Sequence, residues 1–204
     1  MKSVFCLLAA SLFIGSHAQA ASNNQWEIDS KHSMATFTVK HMMVSNVPGQ
    51  MAGVKGNVDF DGKNVDSLKV SATLDPATIN TGEPDRDEHL RGADFFDVKK
   101  YPSVTFESDG VIPVMKGGFK LSGKLTLHGV TKNVELNVDG PTEPIKDTNR
   151  GIEKIGATAT TSINRKDFGI TYNKTLDNGG VAISDEVKIT LELEMSRPLK
   201  VGNK

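Results

Sequence analysis

The chain of 204 residues carries a single cysteine, Cys6, and that residue lies in an N-terminal segment with the pattern of a secretory leader. Without that segment the product has no disulfide and no thiolate metal site, so cysteine chemistry is excluded. Aromatic residues are scarce too: one Trp and two Tyr cannot build the two girdles of an outer-membrane barrel. Neither sign of charge prevails, with 24 Lys+Arg against 25 Asp+Glu, and no positive field is available to hold a phosphate backbone. Nucleic acid is therefore not an expected partner. No later segment approaches the roughly 18 consecutive apolar residues of a membrane-spanning helix. Also missing are a Gly-x-Ser-x-Gly elbow, a Gly-rich phosphate loop and a zinc-protease motif.

What is present begins with the leader, residues 1–20. Lys2 supplies its charge, Val4 to Ile14 its apolar region, and Ala18-Gln19-Ala20 a small-residue cleavage site, so cleavage is expected after Ala20 and the product is expected to be exported. Residues 21–204 are long enough for one domain with a core that needs no covalent staple. Alternation of apolar and polar residues then recurs in about eight segments. The clearest is Val187, Ile189, Leu191, Leu193 and Met195, interleaved with Lys188, Thr190, Glu192 and Glu194. Similar faces are carried by Val54, Val58 and Phe60, by Leu68, Val70, Ala72 and Leu74, and by Leu121, Leu125 and Leu127. Turn dipeptides such as Asp61-Gly62 and His128-Gly129 separate them and favour antiparallel neighbours.

One segment departs from the alternation. Pro84-Asp-Arg-Asp-Glu-His-Leu-Arg-Gly-Ala93 has proline near a helix start and acids in the first turn, which predicts a short helix. The resulting fold is all-β: an antiparallel, lipocalin-like barrel of about eight strands with one short helix, closed so that no sticky edge remains. Gly56, Ala72, Gly123, Ala157 and Ala159 share the inward parity of bulky neighbours, which predicts room inside for a small ligand.

The candidate polar residues follow from the same parity. On the opening strand His41 shares a face with Phe37 and Val39, an imidazole on a dry face that either bonds internally or lines a cavity. His89 has Asp85 four residues before it and can meet it on one helical face. Asp87 and the other charges of that helix read as a solvated face. Arg165 shares parity with Ile163 and points inward, to pair with a carboxylate or a ligand's polar end or to cap the rim. His128 reads as an exposed turn residue and His32 as a structural one. His32 and His41, nine apart, match no compact zinc motif, so no metal site is expected.

Trp26-Glu-Ile-Asp29-x-x-His32-Ser33, Phe37-x-Val39-x-His41, Arg86-Asp87-Glu88-His89-Leu90, Phe95-Phe96-Asp97, Gly123-x-Leu125-Thr126-Leu127-His128-Gly129 and Arg165-x-Asp167-Phe168-Gly169 together resemble the YceI-like family across nearly the whole chain after the leader. The resemblance implies a lipocalin-like barrel, usually periplasmic, that encloses a long apolar lipid such as a polyisoprenoid, an isoprenoid quinone or a fatty amide. The implied function is carriage or storage of that lipid as ligand, without a cofactor, and the family also includes homodimers. The expected wall is Phe37, Val39, Val58, Phe60, Leu74, Leu125, Ile163, Phe168 and Leu191. His41, His89 and Arg165 are the polar candidates, and the helix with His89 and Leu90 is the expected lid or mouth. Two other classes stay open: an enzyme, hydrolase or isomerase, using His41 or His89 with an acid, and a ligand-free stress-response barrel.

Overall fold

A computed structural model describes residues 24–114, 117–177 and 179–199. The leader and its cleavage site lie outside the described residues.

The alternating segments form strands, and a single sheet holds them all. In chain order these are β1 (Gln25–Ile28), β2 (Met34–His41), β3 (Ser45–Ala52), β4 (Lys55–Asp59), β5 (Lys69–Leu74), β6 (Val104–Pro113), β7 (Phe119–Leu127), β8 (Val130–Asp139), β9 (Ile145–Asp147), β10 (Ile152–Asn164) and β11 (Glu186–Pro198). One helix, α1 (Pro84–Arg91), lies between β5 and β6. The sheet runs β3-β2-β11-β1-β4-β5-β6-β7-β8-β10-β9, and pairing of β10 with β11 closes it. The result is a closed eight-strand antiparallel barrel.

Eleven strands make an eight-strand barrel because two of its walls are broken and β9 is an addition outside β10. β1 and β2 lie in tandem on one edge of β11: Ile28 faces Met195 and Met34 faces Glu192. The break spans Asp29–Ser33, where Asp29 N–H still bonds Glu194 C=O at 2.8 Å. The opening stretch is thus one wall interrupted by a turn. β3 and β4 repeat the arrangement, broken at Gly53 and Val54.

β3 escapes the alternation rule, because Pro48 and Gly49 speak against a strand. Pro48 is exposed on a strand whose outer edge makes, among the described residues, one isolated bridge, Gln50 with Asn80, so its missing N–H is tolerated. Gly49 sits opposite Phe37, and a Cβ there would come within 2.2 Å of the ring. The phenyl lies flat where a side chain would be. Gly123 is covered in the same way by the Phe106 ring, so it opens no space, whereas Ala72, Ala157 and Ala159 do face the interior.

One end of the barrel is sealed. Trp26 is 0% exposed, its indole N–H donates to Phe60 C=O at 3.0 Å, and the Arg197 guanidinium stacks 3.9 Å above its ring. Arg197 Nε in turn donates to Glu153 Oε1 at 2.6 Å, with both side chains buried. A buried charge that loses its partner is strongly destabilising. Arg197→Met should therefore cost about 3–5 kcal/mol in urea denaturation, and adding Glu153→Leu should restore much of it. A loss below about 1 kcal/mol for the single variant would show that this clasp does not hold the base.

The candidate ligand cavity and its mouth

The inward faces of the strands do not fill the barrel. They enclose a cavity of about 680 Å³, within the range of small-molecule sites. Its walls are apolar side chains from alternate strand positions, with all five apolar residues of the clearest segment, Val187 to Met195, among them. This is the reverse of a lipid-facing barrel, whose apolar side points outward. Ile28, Val58 and Met195 lie at its sealed end, and exposed His41, His89 and Lys174 at its mouth.

Most of the expected wall is in place: Phe37, Val39, Val58, Leu74, Leu125, Ile163 and Leu191 line the cavity, and so does Leu90. Phe60 and Phe168 do not. Phe60 has the inward parity but lies one step beyond β4, under the Trp26 and Arg197 stack, so it belongs to the base seal. Phe168 lies in a short 3-10 turn after β10, where strand parity no longer applies, and packs with Phe95, Leu127, Ile163 and Ile170.

The polar candidates differ more from expectation. His41 has the cavity-facing parity, but β2 ends there, so the imidazole is exposed at the rim rather than held on a dry face. His89 does not meet Asp85. Its Nε2 lies 2.8 Å from Asp94 Oδ2, and its ring stands edge-on to Phe95 and to Tyr172, each with centroids 5.0 Å away. Asp94 enters through the turn after the helix, a contact that helical spacing cannot show. His128 is a turn residue, yet half-buried: it donates to Phe168 C=O at 3.2 Å and meets the Tyr101 ring edge-on, centroids 4.5 Å apart.

Arg165 points inward and is only 4% exposed, but its donors serve the chain. Nη1 bonds the carbonyls of Ile170 and Tyr172, both at 2.8 Å, and Nε bonds Ser184 C=O at 3.0 Å. Nη2 reaches Ile183 C=O and Asp185 Oδ1, each at 3.4 Å. Burial pushes its pKa down and Asp185 partly offsets that. Arg165 therefore clamps the loops of the mouth. Periodicity also missed Tyr172, Lys174, Ala182 and Ile183, which line the cavity from an irregular loop that has no repeat to read.

The helix α1 covers the mouth through polar ties more than through an apolar face. Glu83 caps it by accepting from the N–H groups of Asp85 and Arg86. Asp87, expected on a solvated face, is buried and accepts from Thr81 N–H at 2.8 Å and Thr81 Oγ1 at 2.5 Å. Arg91 Nη1 bonds Ile79 C=O at 3.2 Å. Leu90, Phe95 and Phe96 then project into the cavity.

On the broken wall, His32 Nδ1 lies 2.8 Å from Asp29 Oδ2 and 3.5 Å from Glu194 Oε1. These three groups are close enough to hold a cation, but Lys154 Nζ sits 2.5 Å from the same Glu194 oxygen and supplies the positive charge. The His32 hydrogen bond, with Lys31 N–H, lowers the Asp29 pKa. The structural reading of His32 fits this geometry.

The Thr81 hydroxyl holds the Asp87 carboxyl below its ordinary range, followed by the Thr81 N–H and the nearby arginines. Because the folded pKa is the lower one, this stabilisation is complete above the unfolded value, about pH 4, and drains away as pH falls through the folded value. Asp87→Asn should lower Tm at neutral pH, and the gap from the parent should close below about pH 4 in melts run from neutral to acid. A gap that stayed constant with pH would remove the carboxylate from this role.

Comparison with known proteins places the chain. The model of the YceI-like domain matches residues 26–195. A UPF0312 protein of Staphylococcus aureus is 34% identical over 170 residues, covering 82% of this chain and 95% of its own. The crystal structure of a Campylobacter jejuni YCEI protein is similar at TM-score 0.65 and 32% identity, over 78% of this chain and 89% of that one. Burkholderia cenocepacia BcnA shares the fold at TM-score 0.67 and 23% identity, over 82% and 98% of the two chains. Matched by the family model over most of its length and by relatives of more than 30% identity, the chain belongs to the YceI-like domain family.

Proposed function

We propose that this protein is an exported carrier that encloses one long-chain amphiphilic lipid, of the polyisoprenoid, isoprenoid quinone or fatty amide class, in its barrel. The observation that carries this reading is the 680 Å³ largely apolar cavity inside a closed barrel, with the histidines and charged side chains of its lining gathered at one end. A single apolar chain fits that asymmetry: tail toward Trp26, polar end among His41, His89, Tyr172 and Lys174. Each buried methylene contributes roughly 0.8 kcal/mol, so a few isoprene units offset the ordering of a flexible chain. Further support comes from a domain of Saccharophagus degradans that shares the fold at TM-score 0.59 and 16% identity, over 85% of this chain and 98% of its own, and is described as polyisoprenoid binding. The leader pattern of residues 1–20 adds the periplasm as the expected compartment.

Native mass spectrometry and solvent extraction of the purified protein should recover a long apolar lipid. Adding an isoprenoid at about a hundredfold excess over Kd should raise Tm by roughly 5–10 °C. Ala159→Phe pushes a ring into the cavity opposite Leu191 and should abolish both effects while leaving the strand content intact. Absence of any extracted lipid together with an unmoved Tm would leave the barrel without a cargo and sink the carrier reading.

A further inference from the structure

The turn joining β2 to β3 is built against the rules of stable hairpins. Val44 N–H bonds His41 C=O at 3.0 Å, and both residues between them are left-handed, with φ of 49° at Met42 and 61° at Met43. Glycine, asparagine and aspartate suit that conformation, while a long side chain is strained in it. Solvation is no better served. Met42, Met43 and Val44 are 46%, 59% and 85% exposed, three consecutive apolar side chains directed at water. Neither stability nor solubility accounts for them.

Their location does. Met42 N–H bonds Ala182 C=O at 2.8 Å, and His41 bridges Ile183, so the tip is fastened to the loop that lines the cavity mouth. Lys40 precedes the tip, and Lys174, whose carbonyl accepts from Ala182 N–H at 2.9 Å, lies on that same loop. Both are exposed, and among the described residues neither ammonium enters an ion pair. Asp177 on the same loop is also exposed, so net attraction is modest and apolar insertion must carry the affinity.

We infer that this hairpin tip is a membrane-docking element. Met42, Met43 and Val44 enter the interfacial zone of an anionic phospholipid bilayer, Lys40 and Lys174 meet its headgroups, and the cavity mouth is brought against the lipid. Methionine suits the task, being flexible and apolar enough to adapt to an irregular surface. Apolar area with adjacent cations is the usual basis of interfacial binding. A second copy of the chain fits less well. Three side chains fall far short of the roughly 800 Å² per partner of a stable interface, and the two lysines would face their own equivalents across a twofold axis. The purpose of docking, lipid exchange, rests on the carrier reading; the docking itself does not.

The test is co-sedimentation with vesicles of phosphatidylglycerol and phosphatidylcholine, comparing the parent with Met42→Asn/Met43→Gly. That pair of residues fits the turn, so Tm should hold or rise while vesicle affinity falls about tenfold. Cavity loading with an isoprenoid added from ethanol, followed by native mass spectrometry, should be equal in the two proteins. Equal vesicle binding by parent and variant would overturn the inference, as would a parent dimer in sedimentation velocity that the variant converts to monomer. Failure of both proteins to load lipid would count against the carrier reading instead, since vesicle binding is read without it.

Discussion

The closing seam between β10 and β11 is the constraint on which the rest depends. Each strand is 13 residues long, and they pair without interruption from Ile152 with Pro198 to Asn164 with Glu186. The other edge of β11 receives β2 and β1 in tandem, so the last strand is held between the first two and the one before it. Because side chains alternate, a one-residue slip would turn Leu191, Leu193 and Met195 to solvent and bring Glu192 and Glu194 inside. The burial of that apolar face thus fixes the register, and the register fixes the cavity. The pairing of β11 with β1 and β2, by contrast, joins residues nearly the whole chain apart, such as Glu27 with Ser196, and its loop-closure entropy must be overcome before any contact is gained.

The two ends of this closed wall are held by different means. At the base, large groups are stacked without solvent: Trp26, Phe60, and the Arg197 and Glu153 pair. A buried ion pair of this sort adds little net stability against an apolar substitute, but it admits few alternative packings. At the mouth, short segments are pinned by hydrogen bonds to backbone. Arg165 ties the two ends of the loop 169–185 together, Asp87 ties α1 to Thr81, and Met42 ties the hairpin tip to Ala182. A second apolar cluster, with Phe95, Phe168 and Ile170 buried, packs beneath these ties. The fold therefore closes the two ends of one cavity by different means, a stacked ion pair at the base and backbone-directed polar ties at the mouth.

The sequence was most readable where one repeating rule applied. Alternation located the barrel walls and the apolar lining, and it gave His41 its inward parity, because in a half-buried strand the solvent boundary writes itself into every second residue. It failed in identifiable ways. Phe60 had the right face at the wrong depth, since parity says nothing about position along the barrel axis. β3 was hidden by Pro48 and Gly49, whose presence makes sense only once Phe37 is seen lying over the glycine. The mouth was least legible: Asp94 on His89, Thr81 on Asp87 and the carbonyls on Arg165 are contacts between irregular segments with no period.

The assignment of Arg165 to the scaffold changes what kind of selectivity the cavity can have. A guanidinium free inside an apolar chamber would demand an anionic partner and reject ligands lacking one, since a buried charge left unpaired is costly. With its donors already satisfied by backbone and Asp185, it makes no such demand. The other ionisable side chains of the lining, apart from half-buried Tyr172, are His41, Asp85, Arg86, His89 and Lys174, all exposed, where water can take the place of a missing partner. Discrimination then falls to the walls, and an apolar wall distinguishes neighbours differing by one methylene by only about 1–3 kcal/mol. Such a chamber would sort ligands by length and girth and be tolerant of their headgroups, which suits the proposed carriage of a class of lipids rather than of one molecule.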